Sequence, residues 1–253
     1  MTLHEVDEWI RKRIDFSQTD GIDASLNGIQ VGVGNEDITT VAFAVDACLA
    51  TFERAHREGA QLLFVHHGLF WGPALPLTGV LGQRVQYLMQ NNLALYACHL
   101  PLDQHAEMGN NGVMAQAMGL TEVQPFGEYK GRKLGMKGQL PEPSTIDELV
   151  QNTFGGWSGQ MSALRYGSPE IQSIGMISGG GVREVSQAID EGLDLYVTGD
   201  SSHNIVHECR EAGMNVLFAG HYLTEVFGVK AVADAMAQEL GVKVLFLDVP
   251  TGY

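Results

Sequence analysis

Short apolar, β-branched runs alternate with helical patterns along this chain, and that alternation is the strongest constraint on its fold. The runs "TTVAFAVDA", "AQLLFVHH" and "NLALYACH" are separated by helical patterns at about 47–58 and 79–91. This is the strand, helix, strand order that a parallel sheet requires. A second series follows. "GRKLGMKGQL" and "SALRYG" flank a helix that "PSTIDELVQNTF" opens with a Ser-x-x-Asp capping pattern, and "IQSIGMISGGG", "LDLYVTGD" and "MNVLFAGH" each lead into a helical segment. The expected organisation is two α/β domains, one of residues 1–125 with 220–253 and the other of 126–219. The Pro- and Gly-punctuated region at 124–135 is the expected crossover, and the final helix and strand, about 224–250, return to the first domain. An N-terminal amphipathic helix is predicted from the spacing of Leu3, Val6, Ile10 and Ile14.

Composition narrows the function. Hydrophobic residues make up 45% of the 253-residue chain and charged residues 18%, which predicts surface consumed by burial between domains or subunits. Asp plus Glu number 30 against 15 Lys plus Arg, and a formal charge of −15 repels polyphosphate backbones and argues against a general nucleic-acid binder. Cys48, Cys98 and Cys209 are far apart, odd in number and embedded in apolar segments, the pattern of reduced thiols in a cytoplasmic protein. No apolar run reaches the length of a membrane span, and the N-terminus lacks the uninterrupted apolar stretch of a secretory signal.

The chemistry sits where the strands end. In open α/β sheets functional residues gather at the carboxyl edge. Here "LLFVHHG" ends in His66 and His67, "YACHLPLD" in His99 and, four residues on, Asp103, and "LFAGHYLTE" in His221 and Glu225. Three strand ends of one chemistry point to a metal site. Adjacent residues of a regular strand face opposite sides, so His66 and His67 are expected to serve two ions rather than chelate one. The His221-x-x-x-Glu225 spacing puts both side chains on one face of a helix beginning there. Pro101 is expected to present Asp103 from an irregular loop. His4 and His56 read as surface residues, and His105 has only its proximity to Asp103. "ISGGGVRE" lacks the Lys-Ser or Lys-Thr of a P-loop and reads as a tight turn. "VTGDSSHNIVHECRE", with Asp200, His203 and His207, reads as a helix N-terminus whose candidate role is substrate contact rather than metal ligation.

"NGIQVG", "VHHGLFW", "HLPLDQHAEMGNN", "VTGD" and "AGHYLTE" occur in an order that resembles the dinuclear-metal, Nif-three-like proteins labelled GTP cyclohydrolase I type-two homologues, and the resemblance spans essentially the whole chain. It implies two interlinked α/β domains assembled as a toroidal homohexamer, a trimer of dimers. It implies two divalent ions per chain, Zn, Fe, Mn, Co or Ni, held by His66, His67, Asp103, His221 and Glu225, with Glu225 bridging. His99 matches a position close to the metals and is the expected proton-transfer, hence catalytic, residue. Asp200 stands where the family more often has Glu, a departure that questions any role needing reach. The implied activity is metal-dependent hydrolysis of a small molecule, a nucleotide or a related cyclic amide or phosphate compound, and the label itself suggests opening of the GTP imidazole ring. The alternative is a non-catalytic metal-binding regulatory or assembly protein.

Overall fold

A computed structural model describes residues 1–33 and 37–252; residues 34–36 and 253 lie outside it. The chain divides into two compact units, Met1–Leu102 with Val229–Val249, and Asp103–Gly228 with Pro250–Tyr253.

The first unit opens with helix α1 (Leu3–Arg13). Its start is fixed by a capping box, in which the Thr2 hydroxyl accepts the Glu5 N–H at 3.2 Å and the Glu5 carboxylate accepts the Thr2 N–H at 2.6 Å. Leu3, Val6, Ile10 and Ile14 are buried, as their spacing predicts. Strands β1 (Gly28–Val31), β2 (Thr40–Asp46), β3 (Leu62–His67) and β4 (Ala94–Ala97) build the first sheet, with helices α2 (Leu49–Arg57) and α3 (Gly79–Gln90) on the crossovers. A strand from the end of the chain, Lys243–Phe246, completes it beside β2, giving an order of β1, β4, β3, β2 and this last strand. Its pairs are parallel except for β1 against β4.

Side chains alternate across this sheet. Ala42, Ala44, Leu63, Val65, Leu95 and Ala97 pack with Phe52 and Leu88 of the helices. Of the intervening residues, Phe64 stacks on Tyr96 at 5.8 Å between centroids and meets Phe43 at a tilt of 39° at 5.4 Å. Both faces are therefore covered, which is why the strands read as continuous apolar runs. Each fully buried Phe or Leu side chain contributes roughly 1.5–3 kcal/mol, so the strand ends are where polar residues can be carried at least cost.

Helix α4 (Leu100–Gln104) spans the division between the units, and α5 (Asn110–Ala117) follows in the second. The second sheet contains β5 (Thr121–Tyr129), β6 (Arg132–Ser144), β7 (Ser162–Leu164), β8 (Ile171–Ile177), β9 (Leu195–Thr198) and β10 (Asn215–Phe218), in the order β5, β6, β8, β9, β10, β7. Only β8, β9 and β10 run parallel to one another; the remaining pairs are antiparallel, so this half is mixed. Helices α6 (Ile146–Phe154), α7 (Val185–Asp190) and α8 (Val206–Ala212) belong to this unit. The long α9 (His221–Leu240) gives its residues up to Gly228 to the second unit and the rest to the first, where the last strand, β11, ends the fold.

Three local expectations change. The region at 124–135 is the β5–β6 hairpin rather than a linker, and the units divide earlier, because Met114, Ala115, Met118 and Leu120 pack with Met136 and Ile174 of the second sheet. The cap of α6 is Thr145 with Glu148, one residue beyond the Ser-x-x-Asp pattern. Pro101 lies in the first turn of α4, where its fixed φ suits a helix and its missing N–H is not needed, so Asp103 comes from a short helix instead of an irregular loop. Cys98 and Cys209 are buried and Cys48 is half-buried, and among the described residues none of the three is in a disulfide. Among the described residues no helix is long and apolar enough to cross a membrane.

Candidate metal centre

In the first unit, β3 and β4 finish side by side and carry the histidines to one edge. One ring nitrogen from each of His66, His67 and His99 lies within 4.8 Å of the others. His66 is fully buried, and its Nδ1 lies 2.9 Å from the Cys98 carbonyl. A carbonyl only accepts, so Nδ1 carries the proton and Nε2 the lone pair. His67 repeats this with a carboxylate, its Nδ1–H donating to Asp46 Oδ1 at 2.9 Å; Asp46 ends β2 and is paired with His67 across the ladder. The strand must turn immediately afterwards. A Cβ at Gly68 would collide with the Gln30 amide, whose Oε1 accepts the Leu69 N–H at 2.7 Å. At this strand end the two adjacent rings stand only 4.7 Å apart between centroids, tilted by 44°.

His99 is held most tightly. Its Nδ1–H donates to Asp23 Oδ1 at 2.8 Å and its backbone N–H to Asn27 Oδ1 at 2.7 Å. Asp23 also accepts from the Ser25 and Leu100 N–H groups and from the Asn27 amide. Burial alone would push the Asp23 carboxyl up, but His99, Asn27 and Ser25 together hold it below the ordinary range. The Trp71 ring stands edge-on to His99, 4.8 Å between centroids.

The second unit supplies mostly oxygen. Asp103 is buried, and its Oδ1 accepts from Asn110 Nδ2 at 2.9 Å and from the Ser178 hydroxyl at 2.8 Å. Asn111 ties the same corner together by accepting the Ser178 N–H at 2.8 Å and donating to the Asp103 carbonyl at 3.1 Å. On the first turn of α9, His221 Nε2 lies 3.1 Å from Oε1 of the buried Glu225, as the four-residue spacing predicts. Asp200 Oδ1 lies 2.9 Å from His221 Nδ1, so the shorter side chain reaches its partner. Burial pulls the His221 pKa down, but Glu225 and then Asp200 outweigh it and lift the value to about 9.

The Gly-rich turn is shaped around these groups. Gly179 has φ +58°, and a Cβ there would collide with Glu225 Oε1 and lie 3.0 Å from His221 Nε2. Its carbonyl accepts the Gly199 and Asp200 N–H groups, and its own N–H donates to the Thr224 hydroxyl. The turn thus makes room for the donors.

The donors fit first-row divalent ions. Imidazole nitrogens and carboxylate oxygens are what such ions take, and a bound cation would favour the charged form of the two buried carboxylates, Asp103 and Glu225. Candidate metal-binding groups are therefore present, drawn from His66, His67, His99, Asp103, His221 and Glu225. His4, His56, His203 and His207 are exposed and belong to none of these groups among the described residues. His105 Nδ1 instead accepts the Glu107 and Met108 N–H groups of its own turn. Asp23, Asp46 and Ser178 escaped the sequence reading, although Asp46 closes "TTVAFAVDA" and Ser178 follows "IQSIGMI" as the histidines close their own strands.

Two α/β units with strand-end imidazoles and helix-borne carboxylates define a class of protein with candidate metal-binding groups, and the comparisons narrow it to one family. The profile of the Duf34/NIF3 (NGG1p interacting factor 3) family matches residues 1–252, and the chain belongs to that family. It is 38% identical over 252 residues to an Archaeoglobus fulgidus protein named GTP cyclohydrolase 1 type 2 homolog, covering 99% of each chain. A Deinococcus radiodurans protein of the same name is 43% identical over 231 residues, covering 91% of this chain and 87% of the relative. Among solved structures, TTHA1606 from Thermus thermophilus superposes with a TM-score of 0.90 at 35% identity over the full length of both chains. Reduced HcgD from Methanocaldococcus jannaschii does so with 0.85 at 27% identity over 98% of each.

Proposed function

We propose that His66, His67, Asp103, His221 and Glu225 hold two divalent ions, with Glu225 shared between them, and that the chain is a metal-dependent hydrolase of a small molecule. The observation that carries the reading is the fixing of every candidate imidazole through Nδ1: His66 on a carbonyl and His67, His99 and His221 on carboxylates. That arrangement turns Nε2 into the donor and is the habitual outer support of metal-bound histidines. Two bound divalent ions supply Lewis acidity and a water made nucleophilic near neutral pH. The rest is the work of the chain. Ser178 and Asn110 orient Asp103, Asp200 orients His221, and His99, steadied by Asp23, moves a proton at Nε2.

The names of the relatives favour a nucleotide or a related cyclic amide or phosphate compound as substrate. The test is turnover by metal-restored protein against phosphate esters, nucleotides and cyclic amides, repeated after chelation. Hydrolysis that vanishes with chelator and returns with metal is expected. Turnover indifferent to chelator would refute the mechanism, and no turnover of any of these compounds by two-metal protein would favour the regulatory alternative.

We further propose a homohexamer, a trimer of dimers. The stretch "GPALPLTGV" carries no charge, and its Leu75, Leu77 and Val80 are 50%, 55% and 65% exposed, an apolar face of the kind that subunits cover. Light scattering at micromolar concentration should give a hexamer, and a monomer would exclude it.

A further inference from the structure

The same device occurs once in each unit. In the first, β2, α2 and β3 form a strand, helix, strand element with Asp46 at the end of one strand bonded to His67 at the end of its parallel neighbour. In the second, β9, α8 and β10 form another, with Asp200 just beyond the end of β9 bonded to His221 just beyond the end of β10. Both contacts are Oδ1 to Nδ1 at 2.9 Å, and both join residues 21 apart in the chain. The His66 Nδ1–H meets a neutral backbone carbonyl, that of Cys98, at 2.9 Å.

Resting on the metal-binding reading above, we propose that Asp46 and Asp200 are matched positioning residues, outer carboxylates that aim His67 and His221 and strengthen them as donors relative to His66. A carboxylate draws on the Nδ1 proton more strongly than a carbonyl does, and the electron density it releases into the ring is felt at Nε2. Sheet register sets the aim in the first unit, because Asp46 and His67 are direct ladder partners. In the second, the loop sets it, because the Asp200 N–H is held by the Gly179 carbonyl at 2.9 Å and Asp200 Oδ2 lies 3.5 Å from where a Cβ on Gly180 would stand. The side chains of Asp46 and Asp200 are 30% and 45% exposed, and pairs so exposed contribute little to folding stability. Their effect should therefore fall on the metal rather than on the fold.

The test is competition for Zn²⁺ between a chromophoric chelator and the full chain, with thermal unfolding of the metal-free protein alongside. Asp46→Asn and Asp200→Asn keep an accepting oxygen but lose the charge, and each should weaken binding by about 10–100-fold. Melting of the metal-free variants should stay near that of the parent. Asp20→Asn and Asp190→Asn, which remove the same charge from exposed positions, should leave affinity unchanged. A parent that binds no Zn²⁺ would overturn the metal reading itself. A parent that binds two ions, with the Asp46 and Asp200 variants binding them as tightly, would overturn this inference alone. Loss of affinity only in step with loss of metal-free stability would make the two residues structural and overturn it as well.

Discussion

The first unit offers imidazoles from strand ends, whereas the second offers two carboxylates and one imidazole from helices, and the two scaffolds fix their donors by different means. At the strand ends, orientation comes from the neighbouring strand: Cys98 follows β4 and braces His66, and Asp46 ends β2 and braces His67. On α9, the helix itself sets the distance from His221 to Glu225, while the loops after β8 and β9 supply Gly179 and Asp200. A parallel sheet thus delivers rigid, pre-aimed nitrogen. Helix termini deliver carboxylates whose spacing is local but whose surroundings must be carved by glycine.

Neutralising Glu225, the proposed shared carboxylate of the second unit, should give the largest effect. Glu225→Gln keeps the size of the side chain but loses its charge, and affinity should fall beyond the roughly 10–100-fold expected of an outer partner, with hydrolysis abolished. Chelator competition and turnover assays read both, and full activity on a verified substrate would rule the bridge out. His99→Ala probes the first unit in the opposite sense. Turnover should drop by about 10²–10⁴-fold with metal content unchanged, because the proposed work of His99 is on a proton. Metal loss equal to that of Glu225→Gln would make His99 a ligand instead.

Proton release distinguishes the units more finely. In the metal-free chain the His221 pKa is lifted to about 9, so at pH 7 a metal ion must displace a proton from it. Calorimetry in buffers of different ionisation enthalpy should find about one more proton released at pH 7 than at pH 10, and an equal count would contradict the His221 assignment. The sign for stability follows from the same shift. A folded-state pKa above the ordinary 6.5 stabilises the metal-free chain fully below pH 6.5, and that contribution is lost as pH rises through 9. The smallest effect separates fold from site. Thr145→Ala removes the cap of α6, far along the chain from any donor, and should cost about 1 kcal/mol with metal affinity untouched.

The sequence pattern carried β2, β3, β4, β9 and β10 because each is a continuous apolar run, missed β5 because most of it is exposed and polar, and carried His66, His67, His99 and His221 because each stands where such a run stops. It missed what depends on pairing. Asp46 becomes informative only once β2 lies beside β3, and Asp23 only once the loop before β1 folds over the start of α4. The α6 cap slipped by one residue because Ser144 and Thr145 are both capping residues and only the backbone decides between them; both hydroxyls in fact meet Glu148. Pro101 misled because a proline that breaks a helix interior is welcome in its first turn.

The central proposal is that the chain binds two ions, and metal stoichiometry tests it most directly. Elemental analysis of the purified, metal-saturated chain should give two ions, and the same analysis of His67→Ala should give fewer. One ion or none in the parent, or two retained in His67→Ala, would contradict the account.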